Sequence, residues 1–264
     1  MPSKYAYVDG TAVHYSHCGV STLPGVVPRI DRGRLLLFLH DAGGNAGMWE
    51  DQLGLCSASH SPITFDFPGH GRSGGTESLK SVETYSDFLI ALIETLDLPA
   101  SVLVGHGMGA SIAIETTARA PRRVSALVLV GAAERPQITN ETLRTWENVM
   151  RGRAPQPFTT EAFCPKTDFA VMRKAWMEQV KTDPRVRYFD LLAWSRYEAK
   201  PRLGSIGVPT LIVTAGDDAM TSPAQAADLR RSIPGSDLVS VDNAGHMLPL
   251  EKPAELAEAI NSKL

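Results

Sequence analysis

The sequence predicts an α/β fold, a mostly parallel, doubly wound sheet interrupted by a helical insertion. Three observations carry this. Runs that are apolar at nearly every position recur along the chain, at Leu35 to Leu39, Val102 to Val104 and Val124 to Val130, and such runs suit strands buried on both faces. Amphipathic helical patterns separate them, the alternation that builds parallel sheets. That alternation lapses over residues 133–203 and then resumes, so an insertion longer than an ordinary connection is expected there.

Taken in order, Tyr5 to Val8 and Ala12 to Ser16 flank Asp9-Gly10, a hairpin signal. A Gly/Pro-rich loop leads to the strand Arg34 to Leu39, which ends at His40-Asp41-Ala42-Gly43-Gly44. Gly47 to Leu55 suits a short helix carrying Trp49 and Leu53, and Pro62 to Phe67 is the next strand, broken by Pro68-Gly69-His70-Gly71-Arg72-Ser73. Thr84 to Leu96 places Tyr85, Phe88, Leu89, Leu92, Ile93 and Leu96 on one helical face. After Val124 to Val130 and the insertion come a strand Pro209 to Thr214, a helix Ala224 to Ser232, a strand Leu238 to Val241 and a helix Pro253 to Lys263. The domain reading is a core of residues 1–132 and 204–264 with a helical lid at 133–203.

Composition narrows the partners. Hydrophobic residues are 43% and charged residues 21%, which excludes a disordered chain. A net charge of -3 leaves no basic footprint for nucleic acid. No apolar run approaches the roughly 20 residues that span a bilayer, and Met1 to Gly10 has no signal-peptide pattern. The cysteines Cys18, Cys56 and Cys164 have no metal-ligand spacing, so reduced thiols in a cytoplasm are expected, with no metal. A monomer or homodimer fits equally well.

The sharpest local signal is Ser101-Val102-Leu103-Val104-Gly105-His106-Gly107-Met108-Gly109. Strand, tight turn and helix with alternate glycines form the layout that exposes a catalytic nucleophile. The middle position, where that nucleophile belongs, is Gly107. With the Asp9-Gly10 hairpin, the His40 loop, Asp66-x-Pro68-Gly69-His70-Gly71-x-Ser73, Gly216-Asp217-Asp218 and Gly245-His246 in this order, the chain resembles the α/β-hydrolase family, in its lidded esterase, lactonase and carbon–carbon hydrolase branch. The resemblance covers nearly the whole chain.

What the resemblance implies is a base at His246, oriented by Asp218 with Asp217 as the alternative, and an oxyanion hole from the backbone N–H groups of Ala42 and Met108. His40, Asp66, His70 and Arg72 are expected to brace the loops. Asp41 departs from the family's usual glycine; since a carboxylate would repel an oxyanion, its side chain is expected to turn to solvent. Ser73, Ser111 and Cys164 sit in the wrong places to replace the nucleophile. Trp146, Phe158, Phe163, Trp176 and Trp194 in the insertion are candidate lining of a substrate cavity, and Arg144, Arg151, Arg153 and Arg173 are candidate carboxylate contacts.

Three functions follow. The first is a hydrolase of a small apolar ester, lactone or related acyl compound whose serine is replaced by Gly107, an inactivated variant included. The second is a natural non-serine enzyme using His246 to activate water or move a proton. The third is a non-catalytic ligand-binding homologue. No cofactor is implied by any of them.

Overall fold

The computed structural model describes residues 2–20, 23 and 25–263. Met1 and Leu264, the ends of the expected core, and part of the loop after the hairpin lie outside the described residues.

The hairpin forms from β1 (Ser3–Val8) and β2 (Thr11–His17), paired antiparallel across Asp9-Gly10. Both turn residues take positive φ, the conformation that a tight hairpin turn requires. The next strand, β3 (Leu35–Leu39), is buried at every position. A 3₁₀ turn (Ala46–Trp49) and α1 (Glu50–Cys56) lead into β4 (Ser61–Phe65). Then follow α2 (Val82–Thr95), capped by Ser81, β5 (Ser101–His106), α3 (Met108–Arg119) and β6 (Val124–Val130).

Between β6 and the next strand the chain is helical: α4 (Asn140–Met150), α5 (Phe169–Gln179), α6 (Pro184–Arg196) and the single turn α7 (Lys200–Leu203). The core resumes with β7 (Thr210–Ala215), α8 (Pro223–Ser232), β8 (Asp237–Val241), the short α9 (Leu248–Glu251) and α10 (Pro253–Lys263).

The eight strands lie in the order β1-β2-β4-β3-β5-β6-β7-β8, antiparallel at β1, β2 and β4 and parallel from β4 to β8. The two-residue period of a strand divides the core in two. Leu35, Leu37, Leu39, Leu103, Leu127 and Leu129 face the side covered by α2, α3 and α8. Leu36, Phe38, Val102, Val104, Ala126 and Val128 face α1 and α10.

This topology positions the site. β3 and β5 are direct neighbours, with Leu39 opposite Gly105. Two residues further along each strand stand Asp41 and Gly107, so the loops leaving these strands meet at the sheet's C-terminal edge. In open α/β sheets such a crevice, where strand order reverses, is where ligands bind.

Candidate functional site

The turn after β5 is the one the glycine pattern predicts. Gly107 holds φ 54°, ψ -115°, a region costly for any residue with a side chain unless the surroundings impose it. A Cβ on Gly105 would lie 2.5 Å from the Ala110 nitrogen, and one on Gly109 would lie 2.7 Å from the His40 carbonyl oxygen. Close approach of strand and helix therefore excludes side chains at both flanks.

The middle position is empty of side chain, but its space is not empty. A Cβ on Gly107 would collide with Oδ1 of Asp41 and lie 2.5 Å from its Cγ. Asp41 does not turn to solvent as expected; its carboxylate lies in the site, its side chain 17% exposed. The reason is a partner: the Met108 N–H, first of α3, donates to Asp41 Oδ1 at 2.7 Å. That donor also stands at a helix N-terminus, where negative charge is favoured.

The other carboxylate oxygen, Oδ2, is 3.5 Å from Nε2 of His246, an ion-pair separation longer than a hydrogen bond. His246 is buried in the loop between β8 and α9, and its Nδ1–H donates to Asp218 Oδ2 at 3.0 Å. Asp218 also accepts from the Met220 and Thr221 N–H groups, each at 2.8 Å, and from the Thr221 hydroxyl at 2.7 Å. Asp217 is exposed. The cap of α8 is Ser222, in a capping box with Gln225, which leaves Asp218 for His246.

Electrostatics follow from this alignment. Burial alone would lower the His246 pKa, but the charges of Asp218 and Asp41 on its two sides raise it to about 10. Burial would raise Asp218, yet His246 and the Thr221 donors hold it down at about 2. Asp41 is likewise depressed despite burial, by His246, His106 and the Met108 N–H. The resting site is carboxylate, imidazolium, carboxylate. His106, whose ring centroid is 4.7 Å from that of His246, is lowered to about 4 by burial and the neighbouring charge, and its Nε2–H donates to the His246 carbonyl at 2.8 Å.

The expected bracing residues carry out that task. Asp66 accepts from His14, from the Ala46 N–H at 2.7 Å and from the Arg72 N–H at 2.9 Å. Nδ1–H of His40 donates to the Asp41 carbonyl at 2.9 Å, while its Nε2 accepts from the Phe67 N–H at 3.2 Å. The Ala42 N–H, the second expected oxyanion donor, has no protein acceptor among the described residues, and Ala42 lines the cavity.

That cavity, about 510 Å³, opens between the sheet edge and the inserted helices and takes in Asp41, His246, Trp146, Phe158, Phe163 and Trp176. Trp194 does not line it, a correction to the sequence reading. Its ring is 1% exposed and packs into the core, its Nε1–H donating to Ser111 at 3.0 Å, because the inward face of α6 docks on α3. Ser111 is thereby occupied. Ser73 donates to the Asp66 carbonyl, and Cys164 is buried and does not line the cavity. The candidate arginines are also displaced: Arg144, Arg153 and Arg173 are exposed and Arg151 pairs with Glu147.

Two residues were missed. The Arg187 guanidinium faces the cavity, 4.6 Å from the Trp146 ring centroid. Asp190, fully buried, accepts from the Gly43 N–H at 2.9 Å, His70 at 2.7 Å, and the Ser78 and Tyr85 hydroxyls at 2.6 Å each. Their spacing on α6 is the only sequence signal, and it does not point to partners more than 100 residues away. Among the described residues no group of three or more His, Cys, Asp or Glu is placed to hold a metal ion, and no helix is long and apolar enough to cross a membrane.

Comparison with known proteins agrees with this fold. A sequence profile of the alpha/beta hydrolase family matches residues 36–259. The dihydrolipoyllysine-residue acetyltransferase component of an acetoin cleaving system from Pseudomonas putida is 26% identical over 244 residues, 88% of this chain but 62% of that longer protein. An (E)-2-((N-methylformamido)methylene)succinate hydrolase from Acinetobacter baylyi is 23% identical over 238 residues, covering 88% of this chain and 90% of its own. The crystal structure of an enol-lactonase from Burkholderia xenovorans LB400 superposes with a TM-score of 0.84 at 21% identity over 98% of both chains.

Proposed function

The chain belongs to the alpha/beta hydrolase family, and from that premise we propose that it is a hydrolase that works without a serine nucleophile. Its substrate is a small, largely apolar ester, lactone or related compound, bound beneath a lid formed by α4 to α6. The observation that carries this reading is the His246–Asp218 pair, joined at 3.0 Å and opening onto a cavity of about 510 Å³. His246, once it has released its proton, accepts one from water, and Asp218 fixes its tautomer and stabilises the imidazolium, so turnover is expected to rise with pH toward about 10.

Relatives named as hydrolases and lactonases support the bond class. The lack of a side chain at 107 reads as natural, since Asp41 fills the volume that a serine would need. A purely ligand-binding role is disfavoured by the arrangement: a buried imidazolium held between two carboxylates is costly to maintain and serves no apolar ligand. The three cysteines form no disulfide among the described residues, which fits a reducing compartment such as the cytoplasm.

The test is steady-state assay of short p-nitrophenyl esters and lactones with the intact chain and with His246→Gln. A base of this kind contributes roughly 10²- to 10⁴-fold, so turnover is expected to fall by at least about 10²-fold. Equal rates in the two proteins would remove His246 from the chemistry.

A further inference from the structure

We infer that Glu251 is a positioning residue for His246: its carboxylate ties the loop that carries His246 to the inserted segment that walls the cavity, so wall and base keep one relative placement. This rests on the reading of His246 as the base given above. Glu251 itself does not line the cavity.

The backbone of the loop shows where it hangs. Buried N–H and C=O groups need partners, so residues 244–247 can be followed bond by bond. The Ala244 carbonyl accepts from the Asp217 N–H at 2.9 Å, and the His246 carbonyl accepts from His106. These two bonds hold the loop to the strand ends of the core. Two others lead to the insertion. The Met247 N–H donates to the Ala162 carbonyl at 3.1 Å, and the Gly245 N–H donates to Glu251 Oε1 at 2.9 Å.

Glu251 completes the second link. Its other oxygen, Oε2, accepts from the Cys164 N–H at 2.9 Å and from the Thr167 hydroxyl. One carboxylate is thus shared, an oxygen to each segment, and bonds to a charged acceptor are roughly twice as strong as neutral ones. The segments also touch directly: a Cβ on Gly245 would lie 2.6 Å from the Cys164 nitrogen and 2.8 Å from the Ala162 carbonyl oxygen. Gly245 has no positive φ, so packing against the insertion, and not a turn, excludes a side chain there.

The inserted segment depends on such a joint. Residues 151–168 connect α4 to α5 without helix or strand, a longer connection than most, and within it Glu161, Ala162 and Phe163 line the cavity. Phe163 and Met247 both pack against the small cluster of Met48, Ala175 and Leu250. Substrate that presses on Phe163 therefore acts on a segment bonded, through Glu251, to the residue before His246. His246 must keep Asp218 at 3.0 Å on one side and Asp41 at 3.5 Å on the other, with the His106 ring beside it. Displacement of the loop weakens both carboxylate contacts.

The experiment compares the intact chain with Glu251→Gln, Thr167→Val and the double variant. Gln has a single acceptor oxygen and so can hold only one of the two segments. Thr167→Val removes one bond, on the insertion's side, and changes no charge. NMR reads the His246 imidazole titration and the exchange of the Gly245 amide, neither of which needs turnover. In Glu251→Gln the His246 midpoint is expected to fall from about 10 by about half a pH unit or more, and the Gly245 amide to exchange about tenfold faster. Thr167→Val is expected to shift both in the same direction, and to decide alone should Glu251→Gln fail to fold. The double variant should go no further than Glu251→Gln, the mark of two substitutions acting through one link. The plateau rate on a p-nitrophenyl ester is expected to fall about tenfold in Glu251→Gln with its pH midpoint lowered, whereas a loss of folded molecules would scale the rate alike at every pH. An unmoved midpoint and unmoved Gly245 exchange in the single variants overturn the inference, and so do shifts that add in the double. Absence of ester turnover in all of these proteins, with the NMR shifts present, counts against the proposed chemistry and leaves the tie standing.

Discussion

A Cβ at position 107 and the carboxylate of Asp41 compete for one volume, so the two residues act as a pair. Gly107→Ser therefore meets two penalties, a φ of 54° that disfavours side chains and a collision with Asp41. Backbone strain of this kind costs about 1–3 kcal/mol, and the expected result is a melting temperature lowered by several degrees, partly recovered when Asp41→Gly is added. Scanning calorimetry of the single and double variants checks this; a neutral single variant would show that Asp41 yields freely. The same carboxylate sustains the charge on His246. With Asp41→Asn, the His246 pKa is expected to fall from about 10 by at least about one pH unit, ~1.4 kcal/mol. An NMR titration of the imidazole reads it, and an unchanged value would mean that Asp218 alone holds the proton.

At the scale of elements, α6 is joined to the core through Asp190. One buried carboxylate takes bonds from the loop after β3 (Gly43), the loop after β4 (His70, Ser78) and α2 (Tyr85). His70 donates through both ring nitrogens, to Pro68 and Asp190, and is therefore an imidazolium, its pKa raised by Asp190 against the effect of burial. Removing one partner of a buried ion pair costs about 3–5 kcal/mol. Asp190→Ala is expected to lose that much in urea unfolding and to accelerate hydrogen exchange in α6 and residues 40–45 before the sheet. Uniform loss of protection across the molecule would instead mean that α6 does not open separately. The helix's cavity wall rests on the same anchor, since Arg187 stands one turn before Asp190, against Gly43 and Trp146.

For the whole molecule, buried ionisable groups set the pH range of stability. Asp41, Asp66, Asp190 and Asp218 all have depressed pKa values. Their stabilisation is complete above the unfolded value of 3.8 and is lost as pH falls through the folded ones. His40 and His106, kept neutral by burial and lowered to about 4, add a loss that begins as pH falls below 6.5. His246 has the opposite sign: raised to about 10, it contributes fully below 6.5 and fades as pH rises toward 10. Each pH unit between folded and unfolded pKa is worth ~1.4 kcal/mol. Urea unfolding is thus expected to show a marked loss of stability from pH 7 to pH 4 and a further loss from pH 7 to pH 9.5. A flat profile would mean that these groups titrate alike in both states.

Much of this was legible in the chain itself. The continuous apolar runs became β3, β5 and β6 because a strand covered on both faces has no polar side to show. Gly105 and Gly109 announced the tight turn because no side chain fits between strand and helix there. The family resemblance points to His246 and to Asp218, or Asp217, in the loops after β8 and β7, and the geometry joins Asp218 to His246. Trp194 was misplaced because an aromatic on an inserted helix faces cavity or core according to how the helix docks. Asp190 and Arg187 stayed hidden because Asp190 meets Gly43 across 147 residues of chain. What the sequence determined by itself was the sheet, the turn and the absence of a side chain at Gly107, all set by local sterics and apolar periodicity. What only the tertiary structure decided was the filling of that gap, since the pairing of Leu39 with Gly105 puts Asp41 beside Gly107, where the Met108 N–H and the His246 charge hold its carboxylate.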